Sequence, residues 1–417
     1  MSEKQIQLTE ESYLSVLRDE SIATLFHPIV SVKKKRIFAY EALSRGVAHD
    51  GRILPPDQLF PMAGATGTSL ELDRLCRRKA LENFIPLSES DGESLLSINI
   101  DSSVIGVSIN SNHLLNAVKK AGIDPSFVII EILESNVRDM DVLIDFVKRY
   151  RDNNFLIAID DIGSGFSNLE RVIMLQPDVI KIDRSLVSGI DENFYKREVV
   201  RSIASLAHGI GSVIIAEGIE TREEAITCLE LGSDYLQGFL FSRPLKAGDL
   251  RVADIDSVIS SIADDFRKKM ISRVTERHDS FNRFNSVIER IISGLAETEP
   301  ENFEEYIQEA IRDIDIIECV YIIDESGIQV SRTIFREELD ERKRIFRPDR
   351  PGADQSFKDY FFYLRTGLKK YTSRRYISGA SGRLCTTIST IFRDVNMTRY
   401  VLCCDIVDDD TQFPPSC

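Results

Sequence analysis

From about Thr24 to Pro244 the chain alternates short β-rich runs with stretches whose apolar residues recur at helical spacing. That alternation predicts βαβ units and a parallel sheet or barrel. The two opening runs, TLFHPIVSV and RIFAYEAL, are joined only by Lys33-Lys34-Lys35. A crossover connection needs about a dozen residues, so this first pair is expected to be antiparallel. Six further strands are expected near residues 95–99, 127–131, 155–160, 178–182, 213–217 and 234–237, with helices such as DVLIDFVKRYRDN between them. Eight strands with the first reversed describe an α/β fold, a modified TIM (β/α)8 barrel with an antiparallel first strand.

Beyond Pro244 the period changes. Ile255, Ile259, Ile262, Phe266, Met270 and Val274 step by three or four residues, and the stripe resumes at Phe281, Phe284, Ile288, Ile291 and Leu295. A helix over 255–296 would run roughly 60 Å. That length suggests a connector that packs against a partner or breaks near His278. Glu297-Thr298-Glu299-Pro300 reads as a stop, and Phe303 to Ile314 as another helix. The remainder predicts an α+β domain: ECVYIIDESGIQVSRTIF as a hairpin about Glu325-Ser326-Gly327, SRRYISGASGRLCTTISTIF as a second hairpin, and RYVLCCDIV as a closing strand. The expected domains are therefore a barrel at 1–250, a connecting helix at 251–298 and a small α+β domain at 299–417.

At 417 residues the chain is long enough for two or three cores. No run approaches the about 20 apolar residues of a membrane span, and the polar start MSEKQIQLTEES lacks a signal-peptide core, so a cytoplasmic protein without membrane insertion is expected. A net charge of −15 disfavours DNA binding, although bound divalent ions would invert the potential locally and leave an anionic substrate open. The seven cysteines form no CxxC pair, which argues against a disulfide framework or a structural zinc. Cys403-Cys404 are expected to be buried thiols.

The candidate chemistry sits at the ends of the strands. Glu41, Asn99, Glu131, Asp160, Asp161 and Glu217 each close a hydrophobic run, and a barrel delivers such residues to one mouth. All are oxygen donors, suited to hard ions such as Mg2+ or Mn2+ rather than zinc or copper. Adjacent aspartates can serve two ions, and a pair of ions about 4 Å apart suits in-line displacement at phosphorus. Lys181 could bind the attacking water or a phosphate oxygen, and Asp161-Ile162-Gly163-Ser164-Gly165-Phe166 reads as a glycine-rich turn. Singly, each residue has an ordinary reading as an edge carboxylate, a strand-end cap or a turn. The ordered series favours a metal site.

YEALSRG, the Asn99 of SINID, EILES, DDIGSGFSNL, the KID at 181–183, AEGIE and LGSDYLQGFLFSRPL follow one another along residues from about 20 to 246. This stretch resembles the EAL domain, the family of cyclic di-GMP-specific phosphodiesterases. The resemblance implies that Glu41, Asn99, Glu131 and Asp160 hold one cation, and that Asp160, Asp161 and Glu217 hold a second. Glu41, Lys181 and Glu217 would be catalytic, with Lys181 orienting water. Arg45, Leu43, Gln237 and Asp183 would contact substrate or its water. Glu134, Glu220, Gly163 and Gly165 would support the glycine-rich loop and the surrounding shell. The implied cofactors are two divalent cations, and the implied reaction is hydrolysis of cyclic di-GMP to linear pGpG.

His27, Leu133, Ile162 and Ser164 depart from the commoner family residues without removing a metal ligand. Residues from about 300 to 410 resemble, more distantly, the PAS- or Cache-like sensor domain that follows the barrel in proteins of the YkuI type. That implies an unknown small ligand or protein partner, control through the long helix, and a homodimer. Two competing readings are a cyclic di-GMP receptor that does not hydrolyse its ligand and a scaffold with a relic barrel.

Overall fold

The computed structural model describes residues 9–108, 111–133, 140–164, 169–250, 254–336 and 346–407. It divides into two compact units, Met1–Arg267 and Lys268–Cys417.

In the first unit β1 (Ile22–Ser31) and β2 (Arg36–Val47) form the expected antiparallel pair. A two-residue β3 (Ile53–Leu54) extends the end of β2. From β2 the sheet continues in parallel through β4 (Leu95–Ile100), β5 (Val128–Leu133), β6 (Leu156–Ile162), β7 (Val179–Ile182), β8 (Val213–Ala216) and β9 (Tyr235–Gln237). β9 pairs antiparallel with β1, which closes the barrel.

The two-residue period of a strand sorts its side chains. Ile98, Ile130, Ile157, Ile180 and Ile214 face outward and pack with helix residues such as Phe84, Leu143 and Phe146. Ile29, Ala39, Ile129, Ala158, Val179 and Ile215 form a separate inner cluster. Two residues further along their strands stand Glu41, Glu131, Asp160, Lys181 and Glu217. The apolar inner layer is thus the floor on which a charged layer rests, at the C-terminal ends of the parallel strands.

The long helix runs unbroken from Ile255 to Ala296, through His278. Ile259 and Ile262 belong to the core of the first unit, whereas Phe284, Ile288, Ile291 and Leu295 belong to that of the second. The next helix, Phe303–Ala310, stops short of the expected Ile314, and the chain closes into turns in which the Ile314 amide donates to Ile311 O.

The second unit is an antiparallel sheet in the order β11 (Ile334–Phe335), β10 (Ile317–Asp324), β15 (Arg399–Val407), β14 (Leu384–Arg393), β12 (Lys370–Thr372), with β13 (Tyr376–Ile377) also on β14. The return strand after the DESG turn is far shorter than its sequence suggests. Side chains there take over from the ladder: Ser331 Oγ accepts from the Ile322 amide at 2.9 Å, and Gln329 Nε2 donates to Ser331 O at 2.9 Å. One sheet face packs on the helices through Val320, Ile322, Leu402, Cys404 and Ile406. The other buries Tyr321, Cys403 and Asp405. Burial raises the Asp405 carboxyl above its ordinary range, although Thr387, Ser378 and Tyr376 hydroxyls donate to it at 2.8, 3.0 and 3.2 Å. Cys403 and Cys404 are buried free thiols, as expected.

Candidate metal and active site

Lys181 stands at the centre of the charged layer, with 1% of its side chain exposed. Its Nζ lies 2.6 Å from Glu217 Oε1, 2.9 Å from Glu131 Oε1, 3.2 Å from Asp160 Oδ1 and 3.8 Å from Glu41 Oε2. Burial disfavours the ammonium, but the carboxylates of Asp160, Glu131, Glu217 and Glu41 outweigh it and hold the Lys181 pKa well above its ordinary value. The carboxylates are less fully compensated. Burial pushes Glu131 up to about 8 against the pull of Lys181, and raises Glu217 well above the carboxylate range. Glu41 moves down: burial opposes its charge, but Lys181, Gln237, His27 and Asn99 together prevail.

Adjacent residues of a strand point to opposite faces, so Asp160 and Asp161 could not both enter the mouth from regular β structure. The pairing of β6 with β7 shifts register between Ile159 and Ile162, and Asp161 takes a left-handed φ of 61°. A bulge re-aims side chains in this way. Single carboxylate oxygens of Asp160, Asp161 and Glu217 consequently lie within 4.8 Å of one another. Burial and the neighbouring Asp160 raise Asp161 to about 6.

Glycines follow both parts of this cluster. Gly163 has φ 110°, and a Cβ there would fall 2.3 Å from Leu186 Cδ1. Gly218 has φ 69°, and a Cβ there would fall 2.4 Å from Arg184 Cγ. Two side chains of the single turn Arg184–Val187 therefore cover the loops beyond Asp161 and Glu217. Gly163→Ala should combine a left-handed backbone penalty of about 1–2 kcal/mol with this clash and shift Asp161. Displacements of about 1 Å can cost on the order of 100-fold in rate, so any reaction that uses Asp161 should slow about tenfold or more, read by chromatography of product. Wild-type turnover in this variant would show that the loop tolerates the change.

The remaining expected residues are placed as follows. Asn99 Nδ2 and Gln237 Nε2 donate to the two oxygens of Glu41 at 3.0 and 2.8 Å. Leu43 and Arg45, with Asn99, line a cavity of about 400 Å3 beside the mouth, also bounded by Pro56, Phe60 and Arg77. Asp183 is a helix N-cap: its carboxylate accepts from the Ser185 amide at 2.9 Å. Glu220 pairs with Arg184 at 2.8 Å. Glu134 and Gly165 lie outside the described residues.

His27 entered the sequence reading only as a departure from the commoner family residue, and Ser97 is absent from it. His27 pairs in register with Glu41, and its Nε2 is 3.1 Å from Ser242 O. Ser97, wholly buried, donates its hydroxyl to Glu131 Oε1 at 2.6 Å. The signal for Ser97 is its place two residues before Asn99, on the same strand face.

The donor set fits hard divalent cations. Among the described residues, the cluster of Glu41, Glu131, Asp160, Asp161 and Glu217 contains one ammonium, that of Lys181, a formal excess of four negative charges that two such ions would offset. The buried Glu131 Oε2 has no hydrogen-bond partner among the described residues. Oxygen ligands of this kind suit Mg2+, Mn2+ or Ca2+.

Among curated proteins, the chain is 29% identical over 246 residues to the probable cyclic di-GMP phosphodiesterase PdeB of Escherichia coli K12, covering 59% of this chain and 47% of that one. It is 29% identical over 243 residues to the cyclic di-GMP phosphodiesterase NbdA of Pseudomonas aeruginosa PAO1, covering 58% of this chain and 31% of that one. The chain thus spans less than half the length of either. YkuI of Bacillus subtilis, an uncharacterized EAL-domain protein, is 24% identical over 385 residues, covering 89% of this chain and 91% of its own. The crystal structure of YkuI with cyclic di-GMP and calcium shares the fold with a TM-score of 0.80 at 22% identity, over 97% of this chain and all 100% of that one. Residues 10–244, more than half of the sequence, match the family described as the EAL domain, and the chain belongs to that family.

Proposed function

We propose that this protein hydrolyses cyclic di-GMP to linear pGpG with two divalent cations, Mg2+ or Mn2+, held at the barrel mouth. The observation that carries the reading is the convergence of four carboxylates from the ends of separate strands on Lys181, in a family whose relatives PdeB and NbdA are named for this activity. Glu41, Asn99, Glu131 and Asp160 would hold one ion, and Asp160, Asp161 and Glu217 the other; that pair would supply neutralisation of charge on the phosphoryl oxygens and a more acidic water.

The chain's own groups do the rest. Lys181 Nζ, fixed by its carboxylates, donates a hydrogen bond to the attacking water and keeps its oxygen aimed at phosphorus. That oxygen forms the new P–O bond while the bond from phosphorus to the ribose 3′ oxygen breaks. The water gives up a proton to solvent as that bond forms and the leaving oxygen takes one up from solvent, so the product carries a 5′ phosphate and a free 3′ hydroxyl. Gln237 and Asn99 hold Glu41, and Arg45 with Leu43 receives the nucleotide beside the mouth. Incubating the purified protein with cyclic di-GMP and Mg2+ or Mn2+ should yield pGpG, and chelation should stop the reaction. Tight nucleotide binding without turnover under either ion would favour the receptor reading instead.

The second unit tunes this activity through the helix Ile255–Ala296, which contributes side chains to both cores. Val274, mid-helix and 59% exposed, offers a place to interrupt it without touching either core. Val274→Pro costs about 3 kcal/mol or more of local helix stability and should change the hydrolysis rate at least twofold. An unchanged rate would remove the helix from the regulatory account.

A further inference from the structure

We infer that Ser97 is a positioning residue for the cation site: its hydroxyl turns Glu131 so that one carboxylate oxygen is kept free to ligate. The inference rests on the metal reading of the barrel mouth and adds to it a residue that never touches the ion. Ser97 lies on β4 in register with Ile129 of β5, two positions before Glu131 on the neighbouring strand. Both Ser97 and Glu131 are fully buried, with 0% exposure.

The two oxygens of Glu131 have different surroundings. Oε1 accepts the Ser97 hydroxyl at 2.6 Å and lies 2.9 Å from Lys181 Nζ. Oε2 is buried and accepts from nothing among the described residues. A buried carboxylate oxygen left without a partner is costly in an ordinary core. Here the cost has a purpose: both available donors sit on one side of the carboxylate, which leaves the other for a cation. The ammonium alone cannot fix that orientation, because Lys181 is shared among four carboxylates. Among the described residues the Ser97 hydroxyl has one acceptor, Glu131 Oε1, and its side chain is short, so it selects the rotation of Glu131. Partners of this kind, which orient a ligand without binding the metal, are worth about tenfold to a hundredfold in metal affinity.

A serine kept only to satisfy itself would behave differently on removal. It would shift thermal stability and leave metal affinity unchanged.

The test measures Mn2+ binding directly, without nucleotide, on the full-length metal-free protein by titration calorimetry and by electron paramagnetic resonance of free Mn2+. Ser97→Ala should raise the Mn2+ Kd about tenfold to a hundredfold, whereas Ser233→Ala, which removes a buried hydroxyl elsewhere in the barrel unit, should leave it unchanged. If Ser97→Ala does not fold, Ser97→Cys, of similar shape but a weak donor, takes its place with the same expectation. An Mn2+ Kd in the folded variant equal to that of wild type overturns the inference while leaving the metal reading intact. Failure of the wild-type protein to bind Mn2+ at all overturns both.

Discussion

Lys181→Met should slow cyclic di-GMP hydrolysis by on the order of 10²–10⁴-fold and, in the metal-free protein, lower stability by about 3–5 kcal/mol. The rate loss follows from removing the donor aimed at the attacking water. The stability loss has a separate origin. Lys181 is the only cation within ion-pair reach of Glu217, Glu131, Asp160 and Glu41 among the described residues, and at 1% exposure it is screened by almost no water. Its removal leaves buried carboxylates repelling one another, which is the expensive way to break a buried ion cluster. Urea unfolding in a chelator should show the full loss, and saturating Mn2+ should recover much of it by supplying the missing positive charge. Equal stability with and without chelator would mean that the carboxylates find no compensation from cations. Wild-type turnover would remove Lys181 from the reaction.

Glu41→Ala is expected to reduce hydrolysis by on the order of a thousandfold, because charge stabilisation by a bound ion is worth several kcal/mol and each 1.4 kcal/mol is about tenfold. The substitution does more than delete a ligand. Asn99 Nδ2 and Gln237 Nε2 both lose their acceptor, and Gln237 is buried at 2% exposure. Unpaired buried amides cost about 1–3 kcal/mol each, so a measurable fall in thermal stability should accompany the loss of rate. Nucleotide affinity gives the control. Arg45 and the cavity beside it are untouched, so the Kd for cyclic di-GMP should change far less than the rate. Equal losses in affinity and turnover would instead mean that the binding pocket had collapsed.

Much of this site could be read from the sequence because strands report their own ends. The link Lys33-Lys34-Lys35 was short enough to force the antiparallel β1–β2 pair, and the period of three or four from Ile255 to Leu295 matched an unbroken helix. The acidic residues after apolar runs emerged in one layer because alternation along each strand fixes which of them face inward.

What the sequence could not convey was register and local irregularity. The bulge that brings Asp160 and Asp161 to the same side depends on how β6 meets β7, and no residue type announces it. Lys181 read as the group that orients water, but not as the hub of the cluster, a position it owes to the strand register that places it among four partners from other strands. Asp183 follows the same motif, but it sits one residue beyond the strand, where it caps a helix. Ser97 carried only the weak signal of sharing a strand face with Asn99: a serine within an apolar strand is ordinary until its neighbour across the sheet proves to be a buried glutamate. In the second unit, side-chain hydrogen bonds from Gln329 and to Ser331 replaced a strand that β propensity alone predicted.

The central claim is that oxygen donors from separate strands enclose a pair of hard cations. Anomalous diffraction from crystals of the protein soaked in Mn2+ tests it most directly. Two peaks are predicted in the barrel mouth, one bonded to Glu41, Asn99, Glu131 and Asp160 and the other to Asp160, Asp161 and Glu217. A mouth without anomalous density at saturating Mn2+, or peaks bound to other residues, would contradict the account.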